Sequence, residues 1–220
     1  MQLKQHQNQG PSQIRLQVVS DKIIRVQATA EQSFRNKQSL IIVPQESKAK
    51  YQVEEQGDNL VITTSAMRAV LNEATGHIAF YDLKGNVLLN EVAQGGKTFK
   101  PFTVPDREIG VDIAKVPEAQ KHGWSWHALF DSPDNEAFYG LGQHQSEELN
   151  MKGKNEDLFQ YNTKVSVPFV VSNKNYGILW DSYSYCRWGN PEDYLQLNRA
   201  FKLYDKDGKE GQLTGTYTDK

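Results

Sequence analysis

The chain holds a single cysteine, Cys186, so it forms no internal disulfide, and one thiol does not fix a redox compartment. An excess of basic charge is missing too. Lys and Arg number 25 against 27 Asp and Glu, a formal net charge of −2, and the basic residues are scattered, which argues against a nucleic-acid partner. Long apolar runs are absent. Leu40-Ile41-Ile42-Val43 is typical of the longest and falls far short of the roughly 20 residues that a bilayer-spanning helix needs, so no membrane partner is expected. No secretory leader is visible. Residues 1–12 are polar and are expected to be disordered.

Constellations that carry chemistry are equally scarce. His77, His122, His127 and His144 lie in different segments, and no pair has the i, i+4 spacing of a helical metal site. With one cysteine and no histidine pair, neither a metal nor a cofactor is expected. Asp205-Lys206-Asp207-Gly208 starts like a calcium loop but lacks the later ligands and the closing Glu, so it reads as a hairpin turn. Ser125 and Ser146 have no G-x-S-x-G context. Gly140-Leu141-Gly142 lacks the third glycine and the following helix of a dinucleotide site. Asp131, Asp134 and Glu136 sit within one segment, whereas a glycosidase holds two carboxylates on separate elements across the scissile bond. Turn and strand-edge roles are expected for them, and no catalytic residue is assigned.

What the chain does have is period-2 alternation from end to end. Ile14, Leu16 and Val18 alternate with Gln13, Arg15 and Gln17; Ser20-Asp21-Lys22 turns the chain, and Ile24, Val26 and Ala28 resume. Leu60 and Ile62 follow the turn Gly57-Asp58-Asn59, and Met67, Ala69 and Leu71 line one face of the next strand. After Asn72 to Gly76, Ile78 and Phe80 continue, and Lys84-Gly85-Asn86 leads into Val87-Leu88-Leu89. Later strands are expected over residues 165–172, 176–181, 184–188 and 200–205. Gln143 to Lys154 is too polar on every side for a core helix and reads as a loop. Short strands punctuated by Gly, Asn and Asp indicate an all-β antiparallel sandwich or barrel. At 220 residues, roughly 70% of the unfolded surface is buried on folding, enough for a core without disulfides. A single domain over 13–208 is expected, with 209–220 reading as a linker.

Aromatics are the remaining candidates for binding. Trp124 and Trp126 are two apart and share a strand face, while Tyr183, Tyr185 and Trp188 gather near Arg187. Sugar rings stack on flat aromatic faces, so Trp124, Trp126 and Trp188 read either as a stacking platform or as core packing.

One string is more specific. Glu136-Ala137-Phe138-Tyr139-Gly140-Leu141-Gly142-Gln143 resembles the E-x-F-Y-G-L-G-(E/Q) signature of glycoside hydrolase family 31. Val18 to Val26 is similar to that family's opening hairpin. Thr75 to Leu89 resembles its T-G-x-I-x-F-x-D-x-x-G-x-x-L-L pattern, and Val167-Pro168-Phe169 with Tyr176 to Asp181 its V-P-F…Y-G-x-x-(W/L)-(D/N) strands. Each piece alone is weak, but four in the right order are specific.

The resemblance implies an all-β supersandwich of the galactose mutarotase-like fold, preceding a (β/α)₈ barrel that carries both catalytic aspartates of a retaining mechanism. Neither aspartate motif occurs in this chain. The implied partners are the barrel of the same polypeptide and an oligosaccharide substrate. A loop of this sandwich reaches over the barrel mouth in the family, and the matching residues are Phe159, Gln160, Tyr161 and Asn162. Several α-glucosidases place an Asp at the position matched by Asn162; the amide keeps a donor and an acceptor without the charge. Gln143-His144 and Gln160-Tyr161-Asn162 look more like the bacterial α-xylosidase branch, which acts on xyloglucan. A periplasmic or secreted location is expected by analogy. Two alternatives stand beside this reading: a free-standing carbohydrate-binding module, and an aldose epimerase, for which no acid–base pair facing a sugar is evident.

Overall fold

The structure is a computed structural model, and it describes residues 9–35, 38–44, 46–93, 96–103, 113–145, 148–182, 184–189 and 203–211. Ser146, Tyr183, residues 200–202 and residues 212–220 therefore lie outside the described residues. The described residues are built from antiparallel strands, with a 3-10 turn, Ile113–Lys115, and one α-helical turn, Glu118–Lys121, behind Pro117. No helix forms among the described residues of 143–154.

Strands β1 (Gln13–Ser20) and β2 (Ile23–Thr29) make a hairpin. Strands β3 (Tyr51–Gln56), β4 (Asn59–Thr64), β5 (Met67–Asn72), β6 (Ile78–Asp82) and β7 (Val87–Asn90) form a five-stranded sheet in chain order. The hairpin lays its apolar side on that sheet. Ile14, Leu71 and Ile78 are fully buried there, with Leu16, Val26, Ala28, Leu60 and Phe80 packed around them. Side chains make the tight turns. Asn72 Oδ1 accepts from the N–H groups of Ala74 and Thr75 at 3.1 and 2.9 Å, and Asp82 Oδ1 from those of Lys84 and Asn86 at 2.9 and 2.8 Å. Strand β3 is an edge strand with all six residues exposed, which explains its weak apolar signature.

A buried ion pair fastens the far side of this sheet. Lys97 Nζ donates to the Glu91 carboxylate and, at 2.9 Å, to the Gly76 carbonyl, while Glu91 also accepts from the Ile78 N–H at 2.9 Å. Burial pushes Glu91 up and Lys97 down from their ordinary pKa values, each opposed by the partner's charge. Beyond it, β8 (Lys97–Thr103) pairs with β9 (His122–Ala128).

The second half centres on a three-stranded sheet of β10 (Phe138–Gln143), β12 (Val165–Ser172) and β13 (Tyr176–Leu179). Beside it, β11 (Glu156–Leu158) pairs with β14 (Cys186–Trp188). Phe138, Leu141, Met151 and Val170 form its core, joined by Leu158, Tyr176, Ile178 and Trp188. A last hairpin, β15 (Leu203–Tyr204) and β16 (Glu210–Gly211), closes through Asp205 Oδ1, which accepts from the N–H groups of Asp207 and Lys209 at 2.9 Å each. Strand β13 stops at Leu179 rather than at the expected Asp181. Asp181 instead turns to Arg25 Nη2 at 2.8 Å and Ser39 Oγ at 2.7 Å, tying the two halves together.

Candidate substrate-rim loop and its anchors

The glycine-rich string is built for close backbone approach. Gly140 and Gly142 have φ of 129° and 98°, and the register between β10 and β12 slips between them. A Cβ on Gly142 would overlap the Val165 carbonyl oxygen, and one on Gly140 would sit 2.6 Å from the Phe169 carbonyl oxygen. Between them Leu141 takes φ of 67°, which buries its side chain in the core.

Glu136, which opens the string, is buried and accepts from Ser172 Oγ at 2.5 Å and Tyr176 Oη at 2.6 Å. It clamps the β12–β13 hairpin from below. Burial, reinforced by the Glu136 carboxylate, pushes the Tyr176 phenol far above its ordinary pKa. Asp131 meanwhile accepts from Asn90 Nδ2 at 2.6 Å, and Asp134 is exposed. Glu136 and Asp131 thus point to different partners.

The loop at 159–164 joins β11 to β12. Its end is a tight turn: the Lys164 N–H donates to the Tyr161 carbonyl at 2.7 Å, and Asn162 at the tip has φ of 32°. Phe159, Gln160, Tyr161 and Asn162 are all exposed, with the Phe159 and Tyr161 rings 5.9 Å apart. The structure thus brings the four predicted loop residues together as one projecting element. Beneath it lies a group that sequence reasoning missed. Lys164 Nζ is 3.0 Å from Glu156 Oε2, and His144 Nδ1 is 3.2 Å from the same oxygen, though off the hydrogen-bond direction. His144 Nε2 donates to the Leu141 carbonyl at 2.7 Å. Their sequence separations follow no helical or strand period, so only tertiary structure reveals the cluster.

The three tryptophans separate. Trp188 is part of the core: its Nε1 donates to the Met151 carbonyl at 3.0 Å, and its ring meets Phe138 edge-on at 5.2 Å. Trp126 stacks on Trp180 at 4.4 Å and on Phe99 at 5.7 Å. Trp124 touches the same Phe99 edge-on at 6.5 Å and remains exposed. Trp124 and Trp126 do share a face, with Phe99 as common partner. The histidines stay apart, and among the described residues no three His, Cys, Asp or Glu side chains gather as metal ligands.

A second missed feature is an apolar face left half-exposed among the described residues. Val165, Val167, Phe169 and Val171 alternate along β12 and are each 42–48% exposed, while the buried side of that strand carries Ser166, Pro168, Val170 and Ser172. Tyr139 and Leu179 pair with Val171 and Phe169 and extend the face. The alternation was readable in the sequence; which side faced the core was not.

Residues 13–188 match the family model described as the glycosyl hydrolase 31 N-terminal galactose mutarotase-like domain. The chain belongs to glycosyl hydrolase family 31. Its structure superposes on a family 31 α-xylosidase from Xanthomonas citri with a TM-score of 0.76 and 40% identity, covering 90% of this chain and 20% of that one. A family 31 α-xylosidase from a soil metagenome, solved with xylose, matches at a TM-score of 0.62 and 26% identity, covering 83% and 27%. A curated α-xylosidase from Saccharolobus solfataricus is 26% identical over 176 residues, 80% of this chain. An uncharacterized family 31 glucosidase from Pseudescherichia vulneris is 27% identical over 178 residues, 77% of this chain. The chain spans only 23% and 32% of the length of these two curated relatives. As a member of family 31, it places the family's signature residues in architecture. Glu136 and Tyr176 clamp a hairpin, the two glycines admit a neighbouring strand, Trp180 stacks on Trp126, and Asp181 pairs with Arg25.

Proposed function

We propose that this chain is the non-catalytic N-terminal sandwich of a retaining family 31 α-glycosidase of the α-xylosidase type, acting on xyloglucan-type oligosaccharides. It packs on the (β/α)₈ barrel of the same polypeptide and lends the 159–164 loop to the substrate pocket. The observation that carries the reading is the 40% identity over 90% of this chain to an α-xylosidase of which it matches one fifth. Supporting the packing is the outward β12 face, where Val165, Val167, Phe169 and Val171 form an apolar stripe 42–48% exposed. Supporting the loop is its exposed aromatic and amide tip, chemistry suited to stacking on and hydrogen-bonding a sugar.

The test is kinetic, on the complete enzyme with α-xyloside and α-glucoside substrates. Hydrolysis of α-xylosides is expected, and Asn162→Ala is expected to cost about 1–3 kcal/mol of transition-state stabilisation, the scale of one lost buried hydrogen bond. Activity confined to α-glucosides overturns the substrate assignment. An unchanged kcat/KM removes the loop from the pocket.

A further inference from the structure

We propose that His144, Glu156 and Lys164 are positioning residues that fix the 159–164 loop onto the glycine-rich end of β10; the inference rests on the reading that this loop borders the substrate pocket. The three side chains are 5%, 14% and 13% exposed, whereas every residue at the loop tip is exposed. Glu156 opens β11, and Lys164 immediately precedes β12. Their contact at 3.0 Å therefore closes the loop at its base, in parallel with the Lys164 N–H to Tyr161 carbonyl bond at 2.7 Å.

His144 brings in the third element. It follows β10 directly and holds the Leu141 carbonyl at 2.7 Å while its Nδ1 faces the same Glu156 oxygen that Lys164 contacts. One oxygen of Glu156, at the start of β11, thus lies 3.2 Å from His144 at the end of β10 and 3.0 Å from Lys164 at the approach to β12. Buried charges of this kind add little net stability, because desolvation offsets their attraction. They do restrict geometry, because moving Glu156 or Lys164 strands the other without its ion-pair partner. A projecting loop that must meet a substrate within a fraction of an ångström needs such a base. Leu141, with its left-handed backbone, aims its carbonyl at His144, so the signature string and the loop form one mechanical unit.

The experiment uses the complete enzyme with Lys164→Met, Lys164→Arg and Glu156→Gln, alone and combined with Asn162→Ala. Amide hydrogen exchange is read over residues 159–163 and over β10 and β12. In Lys164→Met the loop amides should exchange faster while the strands stay protected. KM should rise and kcat/KM fall roughly 10- to 100-fold, the scale of a misplaced contact, and Lys164→Arg should recover most of it. Combined with Asn162→Ala, the loss should not exceed the larger single loss, since both variants remove the same contact. Should Lys164→Met fail to fold, Glu156→Gln, which keeps the shape and an oxygen acceptor, carries the same expectations. Unchanged loop exchange in the folded variants, or losses that add to that of Asn162→Ala, overturns the positioning role. A silent Asn162→Ala beside a loosened loop instead sinks the pocket reading and leaves the positioning geometry standing.

Discussion

The two largest sheets among the described residues treat their outward faces differently. Across the five-stranded sheet, the face turned away from the β1–β2 hairpin presents Gln52, Glu54, Thr63, Arg68 and Tyr81 around a stripe of Val61, Val70 and Ala79, of which Val61 and Ala79 are buried, with Arg68 lying over the Tyr81 ring at 5.1 Å. Its larger apolar residues, Leu60, Ile62, Leu71 and Phe80, face the hairpin side. Strand β12 differs: Val165, Val167, Phe169 and Val171 point outward and are half-exposed, while Ser166, Pro168, Val170 and Ser172 point inward, Val170 into the core. An apolar face is complete once it is covered, whereas one left half-exposed offers area to a partner. The apolar centre of the first sheet is thus covered on both sides within this chain, while the outward stripe of β12 stays half-exposed.

If that contrast is right, the first sheet should be vulnerable from within. Lys97→Met leaves the Glu91 carboxylate buried with its cation gone and should cost about 3–5 kcal/mol in chemical denaturation. A loss under about 1 kcal/mol would mean that the pair merely balances its own desolvation and that apolar packing alone completes this sheet. In the second sheet the sensitive point is backbone approach. Gly142→Ala adds a Cβ against the Val165 carbonyl oxygen at a φ of 98° and should cost about 1–3 kcal/mol. Unchanged stability would show that the β10–β12 pairing tolerates displacement, and the glycine string would then need another explanation.

Turns and strands were legible because their causes are local. Asn72, Asp82 and Asp205 each bind the backbone N–H groups that follow them, chemistry that a short window displays. The expected 165–172 strand has the observed bounds of β12. Strand β3 was less legible, since Tyr51-Gln52-Val53-Glu54-Glu55-Gln56 buries nothing and pairs on one side only. Trp188 shows a different limit. A tryptophan beside tyrosines reads as platform or as packing, and the Met151 carbonyl at its Nε1 and the Phe138 ring beside it place it in the core. The loop residues 159–162 came from a family resemblance that also touched His144, but the grouping of His144 with Glu156 and Lys164 came from neither pattern nor resemblance, because 12 and 8 residues separate them. Partnerships across such gaps are set by how β10, β11 and β12 are laid side by side.

The finest test of the contrast between the sheets is a change that one side should barely register. Val167→Thr keeps volume, branching and strand preference, and replaces one methyl with a hydroxyl. Val167 is 43% exposed in this chain, so water can solvate the new group, and the isolated chain should move by no more than about 0.5 kcal/mol. In the complete protein, a covered β12 face would bury that hydroxyl among apolar groups at a cost of about 1–3 kcal/mol. Comparing denaturation of the isolated chain with that of the complete protein, for wild type and Val167→Thr, gives the difference directly. Equal small shifts in both would mean that the β12 face remains in water and that its apolar stripe needs an occupant other than the rest of the polypeptide.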